Sequence, residues 1–103
     1  MPRTVRAGTR AQLSSQGALR IPEPPLAVFS VGDRPYAIDD TCPHRGCSLA
    51  DGSLEGTTLT CGCHGSQFDV TTGALVRGPA TAGVRAFPAR YEGDAAVVEV
   101  PDA

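Results

Sequence analysis

The 103-residue chain contains no lysine and only five aromatic residues, two Tyr and three Phe. No apolar run approaches the roughly 18 residues that a membrane-spanning helix needs, so no membrane anchor is read. The opening Met1-Pro2-Arg3-Thr4-Val5-Arg6 is basic but is not followed by an apolar stretch, so no secretory signal is read and a cytoplasmic product is expected. Nine Arg stand against eleven carboxylates for a net charge of −2, and the Arg are scattered along the chain. That balance argues against nucleic acid or an anionic membrane surface as the main partner. The length suits one domain and leaves no room for a separate catalytic one. Neither a nucleophile–base pair nor a G-x-x-x-x-G-K phosphate loop is present, so the chain is not expected to be an enzyme by itself.

What the sequence does have is turn chemistry: twelve Gly and nine Pro, with 41% hydrophobic and 19% charged residues. This composition fits a compact fold of short strands, and the expected class is all-β in a single domain, residues 1–103. From Thr4 to Ile38 the chain reads as extended segments, with Ile21-Pro22-Glu23-Pro24-Pro25 a loop or sheet edge because Pro donates no ladder hydrogen bond. Leu26 to Val31 and Arg34 to Ile38 flank Gly32-Asp33 as a hairpin. A second hairpin closes the chain, Val84 to Tyr91 and Ala95 to Val100 around Glu92-Gly93-Asp94, with Pro88 marking its first arm as an edge or a bulge. No helix and no internal repeat is read. Thr41 to Gly78 has little periodicity, and a stretch of that kind is expected to need something besides packing to order it.

All four Cys and both His fall in that stretch, between positions 42 and 64. They form two short loops, Cys42-Pro43-His44-Arg45-Gly46-Cys47 and Cys61-Gly62-Cys63-His64-Gly65-Ser66. Two loops that each offer thiolate and imidazole are the layout of a metal site, since each supplies a ligand pair and the fold joins the pairs. Zinc accepts such ligands and is one alternative, as the core of a binding module without redox chemistry. It would use four of the six groups, and its paired ligands are normally separated by two or more residues, whereas one residue separates Cys42 from His44.

The C-x-H and C-x-x-H spacings, with Arg45-Gly46 after the first and Gly65-Ser66 after the second, resemble the cluster-binding loops of the Rieske [2Fe–2S] proteins. The resemblance continues through Gln67-Phe68-Asp69 and Thr72-Gly73 to Gly78-Pro79-Ala80, which is similar to the family's proline loop over the cluster. It implies a Rieske fold, an antiparallel β-sandwich or barrel carrying a loop-built cluster subdomain at about 41–80. It also implies one cluster per chain, with Cys42 and Cys61 on one iron and His44 and His64 on the other. Cys47 and Cys63 stand where the high-potential branch of the family has a disulfide between its cluster loops. Such a bridge would close about fifteen residues, worth about 3 kcal/mol in the chain-entropy model.

Two ferric ions and two sulfides carry +2, so two thiolates bring the oxidised centre to zero where four would leave −2. Adding an electron is easier without that negative charge, which places the class at about −150 to +300 mV. By the resemblance, Ser66 stands where a hydroxyl donates to a sulfide and raises the potential, while Phe68 replaces the second donor, a Tyr. An intermediate potential is expected. The His44 and His64 rings would lose a proton more readily when the iron is ferric, coupling reduction to proton uptake at alkaline pH. Their tips, bordered by Leu49 and Pro79, are the expected docking edge, with Arg45 and Arg77 read as solvated charges.

The expected function is a monomeric one-electron carrier, resembling the ferredoxin that passes electrons from a flavin reductase to a terminal oxygenase. The alternative is a small relay subunit of a larger redox enzyme of the arsenite-oxidase, nitrite-reductase or quinol-oxidising type.

Overall fold

The structure, a computed structural model, describes residues 3–43, 46–63 and 65–101. In chain order the elements are β1 (Arg3–Thr9), α1 (Arg10–Gln16), β2 (Ala18–Ile21), β3 (Leu26–Val31) and β4 (Arg34–Asp39), then a 3-10 turn at Leu49–Asp51. There follow β5 (Ser53–Glu55), β6 (Thr58–Thr60), β7 (Gln67–Asp69), β8 (Leu75–Arg77), β9 (Ala86–Phe87), β10 (Ala89–Glu92) and β11 (Ala95–Val100). They assemble into three sheets, ordered β1-β11-β10, β2-β3-β4-β9 and β5-β6-β7-β8, and their strand pairs are antiparallel. The all-β expectation holds apart from one short helix.

The sheet containing β3 is apolar on both faces, and the alternation of side chains along a strand divides its residues between two cores. Leu26 and Val28 of β3 and Ala37 of β4 join Leu13, Ile21, Ala96, Val98 and Val100 against the β1-β11-β10 sheet. Ala27 and Phe29 of β3 and Ile38 of β4 face the other way, onto Leu49, Leu59, Phe68, Val70, Cys42 and Cys61. The second core carries the candidate loops. It also corrects one expectation: packing does order much of the 41–78 stretch, because Leu59, Phe68 and Val70 are wholly buried. Strands of three residues are too short to show a period in sequence.

The first hairpin forms where its turn chemistry places it, with Gly32 and Asp33 both at positive φ as the primed turn requires. The second differs. Its first arm splits at Pro88, so that Ala86–Phe87 pairs with the edge of β4 and Ala89–Glu92 pairs with β11. The helix α1 was not expected. Its signal was a capping box, Thr9-x-x-Gln12: the Gln12 N–H donates to Thr9 Oγ1 at 3.0 Å and the Thr9 N–H to Gln12 Oε1 at 2.8 Å. Seven residues with one buried anchor, Leu13, present no apolar stripe to read.

The loop between β8 and β9 has a backbone neck, where the Val84 N–H donates to the Gly73 carbonyl at 2.8 Å. Gly73 has φ of 80°, and a Cβ built on it would overlap the Val84 carbonyl. Beside the neck, the Asp69 carboxylate accepts from the Thr71 N–H at 2.8 Å and hydroxyl at 2.6 Å. These bonds hold its pKa below the ordinary carboxylate value.

Gly73→Ala is therefore expected to destabilise by more than about 2 kcal/mol, from left-handed strain plus backbone overlap, seen as a lower denaturation midpoint. Because the folded pKa of Asp69 is depressed, its contribution is complete above the unfolded value and lost as pH falls through the folded one. Asp69→Asn should flatten that acid limb of the stability–pH curve.

Candidate metal centre

Each loop is a six-residue ring closed on its first cysteine. In the first, the Cys42 N–H donates to the Cys47 carbonyl at 2.9 Å and the Gly46 N–H to the Cys42 carbonyl at 2.8 Å. In the second, the Cys61 N–H donates to the Ser66 carbonyl at 2.8 Å and the Gly65 N–H to the Cys61 carbonyl at 3.1 Å. The pattern is the same at the same spacing. Gly46 and Gly65 hold φ of 76° and 82°, the left-handed conformation that turns the chain back toward the cysteine. A bridge between Thr41 and Ser48 closes the first ring, and the Thr60–Gln67 pair of β6 and β7 closes the second.

The four sulfurs fall into two kinds. Cys42 and Cys61 are free thiols, each 2% exposed, at the end of the core between the middle sheet and the β5–β8 sheet. Cys47 and Cys63 form a disulfide, with Cα atoms 6.5 Å apart, that joins the two rings. His44, Arg45 and His64 lie outside the described residues. Among the described residues no group of three or more Cys, His, Asp or Glu side chains comes together.

Ser66 is 1% exposed, and its Oγ accepts the Ala80 N–H at 3.0 Å, pinning the proline loop onto the second ring. Among the described residues its own proton has no acceptor. A buried hydroxyl proton without a partner is costly, and a sulfide between the rings would satisfy it. Buried thiols and a buried donor at one core end thus suit an iron–sulfur cluster chemically.

The docking edge needs one correction. Leu49 is 0% exposed, packed into the core as the first residue of the 3-10 turn, and so is not a surface contact. Pro79 and Arg77 are exposed, and Val76 beside them is the exposed large apolar side chain among the described residues, at 54%. Phe68 is fully buried and pairs with Leu59 across β6 and β7. The sequence also concealed a buried carboxylate, Asp40, two residues before Cys42. Its only signal was a second acid at the end of an apolar strand. A groove of about 520 Å³ lined by Thr72, Arg85, Phe87 and Glu99 among others borders β9 and the end of β11, and none of its lining residues belongs to either ring.

The sequence profile of the Rieske [2Fe–2S] domain matches residues 4–88. The chain belongs to the Rieske family. It accordingly carries one Rieske cluster. It is 43% identical over 68 residues, 66% of this chain and 64% of the relative, to ferredoxin CarAc of Metapseudomonas resinovorans. With the 3-phenylpropionate/cinnamic acid dioxygenase ferredoxin subunit of Escherichia coli K12 it shares 38% identity over 88 residues, 84% of this chain and 83% of that one. The fold is similar to a chain of a complex of reduced oxygenase and oxidized ferredoxin in carbazole 1,9a-dioxygenase, with a TM-score of 0.85 and 31% identity. That match covers 92% of this chain and 91% of the other.

Ser66→Ala should lower the midpoint potential of this Rieske protein and Phe68→Tyr should raise it, both measured by voltammetry. A Tyr hydroxyl that found no acceptor in so closed a core would instead cost about 1–3 kcal/mol of stability, so denaturation midpoints belong beside the potentials.

Proposed function

We propose that this protein is the ferredoxin component of a multi-protein oxygenase system, passing single electrons from a flavin reductase to a terminal oxygenase. In this reading it works in the cytoplasm as a monomer. Cys42 and Cys61 ligate one iron and His44 and His64 the other. The observation that carries the proposal is the repeated ring, which presents a buried thiol twice at the end of one core. Similarity to oxygenase ferredoxins over most of the chain supplies the context.

The bound cluster supplies a site that accepts and releases one electron. The polypeptide keeps that site dry and fixed. Leu49, Leu59 and Phe68 exclude water beneath the thiols, and each ring's backbone hydrogen bonds hold its cysteine in place. The Ser66 hydroxyl offers a proton to the cluster side while its oxygen anchors the proline loop. Pro79, exposed on that loop, borders the face through which electrons pass. Among the described residues no helix is long and apolar enough to cross a membrane.

The Cys47–Cys63 disulfide favours a second reading, a relay serving a higher-potential partner, because by resemblance that bridge belongs to the high-potential branch. Voltammetry across pH separates the two. A midpoint near about −150 mV supports supply from nicotinamide through a flavin reductase, whereas one well above zero and falling at alkaline pH supports the second reading. Cys42→Ser or Cys61→Ser should remove the brown absorbance and electron transfer to an oxygenase together. Full colour in both variants would overturn the ligand assignment.

A further inference from the structure

The stem of the first ring is tied to the middle sheet by a charged network. Asp40 is the buried charged residue among the described residues, 6% exposed, and stands between the end of β4 and Cys42. Its carboxylate accepts the Ser48 hydroxyl at 2.8 and 2.9 Å and the Ala50 N–H at 2.9 Å. Its backbone carbonyl accepts the Leu49 N–H at 2.6 Å. Arg20, on the edge strand β2, completes the network. Its Nε lies 3.3 Å from Asp40 Oδ2, and its Nη2 donates to Ser48 Oγ and lies 3.0 Å from Asp51 Oδ1.

The network is nearly saturated, which is how a buried carboxylate becomes tolerable. It clasps both ends of the first ring, since Asp40 precedes the ring and Ser48 follows it. Asp51 is mostly in solvent, its side chain 76% exposed, so its field is strongly screened. The charges left to act on the ring are the buried Asp40 and, partly screened because its side chain is 47% exposed, the Arg20 that offsets it.

We propose that Arg20 and Asp40 are positioning residues for the redox centre, which hold the first ring in register and set part of its potential through their opposed charges. This rests on the assignment of Cys42 as a cluster ligand. Each has its own electrostatic sign. Arg20 favours the arrival of an electron and Asp40 opposes it; the buried Asp40 should act the more strongly, because the Arg20 side chain is 47% exposed and its field is partly screened. A brace without an electrostatic role would show no such opposition.

The test is voltammetry of the cluster-loaded full chain at pH 8 and low ionic strength, with visible absorbance to report loading and cluster release to a chelator to report retention. Arg20→Gln is expected to lower the midpoint, Asp40→Asn to raise it and Arg20→Lys to restore the wild-type value. Ser48→Ala, which changes no charge, should leave the midpoint in place while speeding release several-fold. Should Asp40→Asn fail to load, the contrast between Arg20→Gln and Arg20→Lys decides. Unshifted midpoints, or shifts of one sign in Arg20→Gln and Asp40→Asn with normal absorbance, would overturn this proposal alone. An uncoloured wild-type protein would overturn the ligand assignment and the proposal with it.

Discussion

Two thiols are held inside the protein, in one core, on loops that carry little apolar side chain of their own. The solution is to close each loop on its cysteine through the backbone. The Cys42 and Cys61 N–H groups reach five residues ahead, and the Gly46 and Gly65 N–H groups reach back to the cysteine carbonyls. Those bonds satisfy polar groups that would otherwise be costly at such burial. The rings can then sit on an apolar core instead of dissolving into solvent, and the remaining structure arranges that core.

The middle sheet makes this possible because it is buried on both faces. One face seals the protein against the β1-β11-β10 sheet and leaves the other free to support the rings. The disulfide between Cys47 and Cys63 ties the rings to each other. Ser66 ties the second ring to the proline loop, and the Arg20–Asp40–Ser48 network ties the first ring to β2 and β4. The charge in these ties is unevenly placed. A neutral hydroxyl braces one ring, and a buried carboxylate paired with a half-exposed Arg20 braces the other.

Much of the site was legible in the chain because metal chemistry restricts residue type. Few demands other than a metal place four cysteines and two histidines within 23 positions, counted from Cys42 to His64 inclusive. The Gly32-Asp33 hairpin was legible for a similar reason, since few residues suit its turn. Leu49 was misjudged because sequence proximity to a surface ring says nothing of which way a following 3-10 turn points its side chain. The helix α1 escaped because seven residues with one apolar anchor carry no period, although Thr9 and Gln12 spelled out its cap.

The residues by themselves determined the class of fold, a metal site and the partition of the chain into flanking hairpins and a ring-bearing middle, and their resemblance to the Rieske loops supplied the cofactor. Those features depend on local turn chemistry and on which side chains can bind a metal. Tertiary structure alone decided which core each residue of β3 enters, that Ser66 bonds Ala80 fourteen positions away, and that Arg20 reaches Asp40 across the sheet. Such contacts join distant parts of the chain, and nothing in the local alternation of side chains specifies their partners.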